Sequence, residues 1–411
     1  MRRVLLGMFL KGMLLMTALL MLSSCFRKDK VDSTINRTVL IYIGADNNLS
    51  NIANSNIYSM NSSISNGMDN DRLLVFVDRV DAVPALLHIH NFKIDTIAKY
   101  PDMDTSDPMV LKEVIDYVIK NWKSECYGLV MWSHGTGWLP TRQLHYVAPN
   151  MNYVQSRDGG TAYEQVNAKR GNPFAQTKTF SWENKAGQVP SYSCMELQDM
   201  ADAIPDGVFD FIVFDACYMG NVEVAYALRN KADYFVSSCY EIVSYGFPYH
   251  IVTRDLLNGS LIKACTEFHT YYNSMSGWEK MAGVSLVKTS ELDSLARCFK
   301  KIVNDYSDTI PKMDVSKLQC FDRFYNHVFY DLLDFVEKLD TEKKYITEFR
   351  LQMERCVPFK ISTSSIFPGD REEIKVNSYC GLSVYIPLSR YELAGLNSDY
   401  RKTEWSRDTN Y

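Results

Sequence analysis

Unbroken apolar runs, rather than alternating ones, mark the first half of this chain. TVLIYIG (38–44), RLLVFVD (72–78), YGLVMWSHG (127–135), FDFIVFDAC (209–217) and ADYFVSS (232–238) each carry apolar residues at successive positions. A strand covered by helices on both faces has no polar side, so such runs read as buried strands of a parallel sheet. ALLHIH (85–90) follows the second run closely enough to be its hairpin partner. Between the runs the period changes to that of a helix. Asp107-Pro108 puts a proline at the start of one, and Val110, Leu111, Val114, Ile115, Val118 and Ile119 form its apolar face. CMELQDMADAI (194–204) and the segment 220–228 read as further helices. Strands alternating with helices predict an α/β fold with a mainly parallel central sheet covered on both faces.

Two stretches break the pattern. Residues 139–190 are polar and rich in Gly, Asn and Gln, and an aperiodic segment of this length inside a compact domain is usually functional or disordered. After residue 250 helical spacing dominates, in LIKACTEFHTYYNS, SELDSLARCFKKIVNDYS and FYDLLDFVEKLD, interrupted by one late apolar run, CGLSVYIP (380–387). The expected organisation is a core over 37–255 carrying the long loop 139–190, then a C-terminal helical extension over 256–411 that contributes a late strand.

The N-terminus has a different character. Arg2 and Arg3 precede the apolar stretch MLLMTALLM (13–21), which is shorter than the ~20 residues needed to span a bilayer and fits a signal segment instead. Leu22-Ser23-Ser24-Cys25 resembles the lipobox of bacterial lipoproteins. That resemblance implies removal of residues 1–24, lipid on Cys25, a polar tether over 25–36, and a place in the bacterial cell envelope on the outer membrane or cell surface.

Composition narrows the classes. With 411 residues, 46% hydrophobic and 23% charged, the chain is globular and long enough for a large core. Its net charge of −5, without a long basic run, argues against nucleic acid as a partner. Ten cysteines at irregular spacings contain no CxxC pair, so neither a zinc ribbon nor a thioredoxin site is indicated. Cys265, Cys298 and Cys380 lie in apolar segments and read as buried thiols. HExxH, GxSxG and P-loop spacings are absent. Asp46-Asn47-Asn48, after the first strand, reads as a cap for the following helix rather than as half of a metal site.

Reactive groups of open α/β sheets gather outside the carboxyl ends of the strands. His134 follows YGLVMWS and Cys217 follows FDFIVFDA, so an imidazole and a thiol stand at two such ends. A thiol becomes a strong nucleophile when an imidazole or a helix N-terminus favours its thiolate, and the helix expected at 220–228 would supply the second. Gly135 leaves room for a carbonyl group, and its N–H together with that of Cys217 could form an oxyanion hole.

YIGADNNLS (42–50), LVMWSHGTGW (129–138), FDACYMGNVEVAYAL (214–228), GFPY (246–249) and GLSVYIP (381–387) occur in the order found in the clostripain family, which this chain resembles over roughly residues 37–390. The resemblance implies a caspase-like α/β/α sandwich and a cysteine endopeptidase acting on protein or peptide substrates, with Cys217 as nucleophile and His134 as its dyad partner. It implies cleavage after Arg or Lys, with Asp215 as an acid of the substrate pocket. Tyr245 falls where the family usually carries a second pocket acid, and Phe247 replaces a Trp. One pocket charge is therefore missing, and Glu241 is the neighbouring candidate to restore it. The loop 139–190 corresponds to the region of self-cleavage in relatives; Arg142, Arg157, Lys169, Arg170, Lys178 and Lys185 are its basic residues, with Lys169-Arg170 the foremost pair. No cofactor or metal is implied, although some relatives depend on calcium. The altered pocket motivates one alternative, a cell-surface binding lipoprotein on the same scaffold with little or no catalysis.

Overall fold

A computed structural model describes residues 35–64, 68, 70–80, 82–147 and 195–411. Cys25, Lys169, Arg170, the expected signal segment and most of the long loop lie outside the described residues.

A nine-stranded sheet runs through the molecule. Its strands are β1 (Arg37–Ala45), β2 (Arg72–Arg79), β3 (Ala85–His90), β4 (Lys93–Lys99), β5 (Cys126–Trp132), β6 (Phe209–Asp215), β7 (Ala232–Ser237), β8 (Gly283–Lys288) and β9 (Phe359–Ser362), in the spatial order β9-β8-β7-β6-β5-β1-β2-β3-β4. β7, β6, β5, β1 and β2 are parallel, and β3–β4 and β8–β9 extend the two edges antiparallel. The unbroken apolar runs thus correspond to the parallel centre. In β1 every residue from Thr38 to Ala45 is buried.

Helices cover both faces. α1 (Ser50–Ser63), α5 (Tyr249–Leu257) and α6 (Leu261–Asn273) pack as one group; α2 (Pro108–Asn121), α3 (Leu197–Ala203), α4 (Val222–Ala227), α7 (Leu292–Tyr306), α9 (Ile346–Cys356) and α10 (Glu404–Thr409) form another, and α8 (Leu332–Leu339) packs on α9. Right-handed crossovers require this division: the chain steps from β1 to β2 in one direction, then returns past β1 to β5 and continues outward, which moves the connecting helices to the opposite face. α2 begins where the sequence indicates, with Asp107 accepting from the Met109 N–H at 2.8 Å and Pro108 in the first turn. Among the described residues no helix is long and apolar enough to cross a membrane.

The C-terminal half departs from the expected helical extension. β8 and β9 complete the same sheet as the core. The late run 380–387 is buried, but only Ser383–Val384 pairs, with Tyr330–Asp331, outside the main sheet. Ser383 N–H also donates to the Gly220 carbonyl at 2.9 Å, so this segment crosses behind the turn that follows β6 instead of joining the sheet. A short apolar run cannot by itself distinguish a strand from buried irregular chain. The described cysteines are free thiols; Cys265 and Cys380 are buried as expected, whereas Cys298 is only half-buried.

Candidate active site

The chain reverses its direction of growth across the sheet between β1 and β5, and the crevice outside such a reversal is where α/β sheets hold ligands. Register brings the reactive residues to this place. Trp132 at the end of β5 pairs with Asp215 at the end of β6, and each strand then continues two residues, to His134 and to Cys217. Both side chains are wholly buried.

The two strand ends touch through backbone. A Cβ on Gly135 would collide with the carbonyl oxygen of Cys217 and lie 3.2 Å from its nitrogen, so only glycine permits this approach. Gly137, at φ +62°, is also enclosed, by the Asn221 amide and the Tyr218 carbonyl. Tyr218 itself has φ +58°, which turns the chain sharply after Cys217. A bulky residue in this conformation is uncommon and costs of order 1–3 kcal/mol, so the surroundings must hold it there. They do: Tyr218 stacks on Phe329 with ring centroids 4.9 Å apart, and its hydroxyl donates to Glu241 at 2.8 Å.

The expected help from a helix N-terminus at Cys217 is not present. α4 begins at Val222, and Asn221 caps it by accepting from the Val224 N–H at 3.0 Å. The sulfur is served by another element: the Ile242 N–H donates to Cys217 Sγ at 3.3 Å. The thiol in turn donates to the Ile242 carbonyl at 3.7 Å, so one residue holds Sγ through both its N–H and its C=O.

His134 has a partner that sequence reading missed. Its Nε2 lies 2.8 Å from Oδ1 of Asn48, in the turn after β1. The stretch Asp46-Asn47-Asn48 does not cap α1 as expected, since the cap position is Leu49 without a side-chain hydrogen bond. Asn47 instead accepts from the Leu49 N–H at 2.9 Å and shapes the turn. Asp46 also has acidic company: burial, then Asp46, Asp102 and Asp104 push the Asp78 carboxyl up to about 7. Sequence gives no sign of either contact, because both join separate strand ends.

Asp215 is buried at the end of β6, where its Oδ2 accepts from the Phe247 N–H at 3.0 Å and the Tyr249 hydroxyl at 2.8 Å. Gly246, at φ +70°, rests on the carboxylate, 2.5 Å from where its Cβ would be. The stretch GFPY thus wraps the acid that the resemblance linked to it. Burial and the Asp215 charge raise the Tyr249 phenol well above its usual range. Tyr245 lies next to this wrap, with its side chain half exposed and its carbonyl accepting from Asn56. Glu241, the neighbouring candidate for a pocket charge, is engaged with other residues. It is buried, accepts from Tyr218, and faces the Arg323 guanidinium at 3.7 Å.

Among the described residues, the side chains grouped closely enough to share a metal ion are Cys320, Asp322 and His327. Their contacts are those of a loop clasp: Asp322 accepts from the N–H groups of Phe324, Val328 and Phe329 and from His327 Nδ1 at 2.8 Å, which holds the His327 imidazolium above its ordinary range. Arg142, one of the basic residues of the long loop, is tied to Asp399 by two hydrogen bonds.

The family model described as the clostripain family matches residues 41–157 and 156–408. The chain belongs to the clostripain family, whose members are cysteine peptidases. Clostripain from Hathewaya histolytica is 24% identical over 246 residues, a match covering 52% of this chain and 40% of that protein, so the chain spans well under half the length of this relative. An inactive zymogen C11 protease from Parabacteroides distasonis superposes with a TM-score of 0.74 at 31% identity, covering 92% of this chain and 99% of that one. A secreted C11 cysteine protease from Bacteroides thetaiotaomicron, solved with an irreversible peptide inhibitor, gives 0.71 at 25% identity over 91% and 99% of the two chains. These likenesses extend the family's caspase-like α/β/α architecture over about nine-tenths of the chain.

Proposed function

We propose that this clostripain-family chain is a lipid-anchored cysteine endopeptidase working through a Cys217–His134 dyad. One observation carries the reading: the register of β5 on β6 puts His134 and Cys217 at equivalent positions beyond neighbouring strand ends, with Gly135 seated on the Cys217 backbone. Cys217 Sγ, as thiolate, attacks the scissile carbonyl carbon, and the carbonyl electrons move to oxygen. The N–H groups of Gly135 and Cys217 stabilise that oxyanion. The tetrahedral species collapses, the C–N bond breaks, and His134 gives its proton to the departing amine. Water then attacks the thioester, loses a proton to His134, and releases the acid and the thiol.

Asp215 is the acid that receives a P1 Arg or Lys, while Tyr245 contributes a neutral wall. A buried carboxylate meeting a substrate cation forms a charge-assisted contact, stronger than a neutral one. Because Cys217 and His134 have no exposed surface, the chain covering them has to move before substrate enters. This supports a latent form, in keeping with the zymogen character of the Parabacteroides relative, with cleavage after Lys169 or Arg170 as the activating step. Lipid on Cys25 holds the enzyme in the cell envelope.

The test is a positional-scanning peptide library offered to the wild type, Cys217→Ala and Asp215→Asn. Wild-type turnover is expected after Lys or Arg, none by Cys217→Ala, and a drop of at least tenfold for basic P1 residues in Asp215→Asn. Full activity in Cys217→Ala would refute the dyad, and no turnover at any P1 residue by wild-type protein already cut in the 139–190 loop would favour the binding lipoprotein. Intact mass spectrometry of the same protein reads Cys25 lipidation and the loop cleavage site.

A further inference from the structure

We propose that Asn48 is a positioning residue for His134, selecting the ring tautomer in which Nε2 carries hydrogen and Nδ1 exchanges the proton with Cys217. The inference rests on the dyad reading above. The Asn48 side-chain oxygen is an acceptor only, and it stands 2.8 Å from His134 Nε2. Such a contact requires hydrogen on Nε2 in both the neutral and the charged ring. The neutral ring therefore has its lone pair on Nδ1, which is the state a general base needs.

The turn bearing Asn48 is built for this reach. β1 and β5 pair as far as Ile43 with Trp132, and the next residues are tied at one carbonyl: Ser133 Oγ donates to the Gly44 oxygen at 2.8 Å, and Asn47 Nδ2 approaches the same oxygen at 3.4 Å. Asn47 also holds the Leu49 N–H, so the turn before α1 is locked. Asn48 is left to extend across 86 residues of sequence to the imidazole, while α1 begins without a side-chain cap. A capping asparagine would stabilise α1 by about 1 kcal/mol. That contribution is forgone here and a contact with His134 is made instead.

The experiment uses the whole protein, cut in the 139–190 loop, with Asn48→Ala, Asn48→Asp and His134→Ala. Two quantities are followed against pH: kcat and KM on a peptide identified by library screening, and iodoacetamide labelling of Cys217 read by peptide mass spectrometry. In Asn48→Ala, kcat should fall about tenfold to a hundredfold with KM little changed. The pH at which the His134 imidazolium is lost should move down. Asn48→Asp restores an acceptor and adds a negative charge, so that limb should move up by about one pH unit and kcat should recover part of its loss. A purely structural role would not move the two limbs in opposite directions. Profiles for both Asn48 variants that overlay the wild type while His134→Ala differs would overturn the inference about Asn48 alone. A His134→Ala profile that matches the wild type would overturn the dyad reading beneath it.

Discussion

Glu223 offers a quantitative test of how the turn after Cys217 is anchored. It lies in the first turn of α4 and is wholly buried. Its Oε1 accepts from the Tyr385 N–H and the Tyr400 hydroxyl, both at 3.0 Å, which binds the helix after Cys217 to the C-terminal segment. Among the described residues Oε2 finds no hydrogen-bond partner. Burial dominates the carboxyl's energetics and lifts it from 4.5 to about 7. Because the folded value is the higher one, the folded chain holds this proton more tightly than the unfolded chain does. The cost to stability is therefore nearly absent below pH 4.5, grows as pH rises, and is complete above about 7. A rise of this size corresponds to about 3 kcal/mol at pH 8 and about 1 kcal/mol at pH 5. Glutamine has the shape of the neutral carboxyl and keeps the acceptor at Oε1. Urea unfolding of Glu223→Gln and wild type, followed by fluorescence at pH 5, 6, 7 and 8, should give a stability difference in favour of the variant that widens by about 2 kcal/mol over the series. Parallel curves, or a variant that loses ground as pH rises, would refute the assignment of a buried, proton-holding carboxyl to this helix.

Two further outcomes follow from buried contacts near the site. Arg323→Met should destabilise the fold by about 3–5 kcal/mol, because Glu241 keeps its burial and loses its cation, and adding Glu241→Gln should recover much of that loss in urea melts. Gly135→Ala should reduce kcat at least a hundredfold, since the new methyl forces the Gly135 and Cys217 backbones apart; circular dichroism should still report the native helix and strand content.

The parallel centre of the sheet was readable because its strands are buried on both faces, which writes an uninterrupted apolar run into the sequence. β8 and β9 were not. β9 is four residues long at a sheet edge and half-exposed, and β8 lies among long amphipathic helices whose period dominates the neighbourhood. The start of α4 was read two residues early for a local reason. Gly220 is pressed against the Ser238–Cys239 backbone and Asn221 serves as the cap, so neither joins the helix. His134 and Cys217 could be singled out because each follows a recognisable strand. Their immediate partners, Asn48 and Ile242, could not, since each contact joins two strand-end turns whose proximity exists only after the sheet has formed.

Glu241 shows why adjacency in sequence is a poor guide to a substrate pocket. Its place a few residues before Tyr245 makes it a candidate to lend a charge to the pocket. The Arg323 guanidinium is mostly buried, flanked by Glu241 and by Asp370 at 3.5 Å, and stacked over the Phe367 ring. Turning Glu241 toward a substrate would strip a buried cation of one of its counter-charges, and a broken buried pair costs several kcal/mol. That cost is of the size a single P1 contact can return, so recruiting Glu241 would bring no net gain in binding. On the reading proposed above, a basic P1 residue would be met by Asp215, whose carboxylate is oriented by the Phe247 N–H and the Tyr249 hydroxyl.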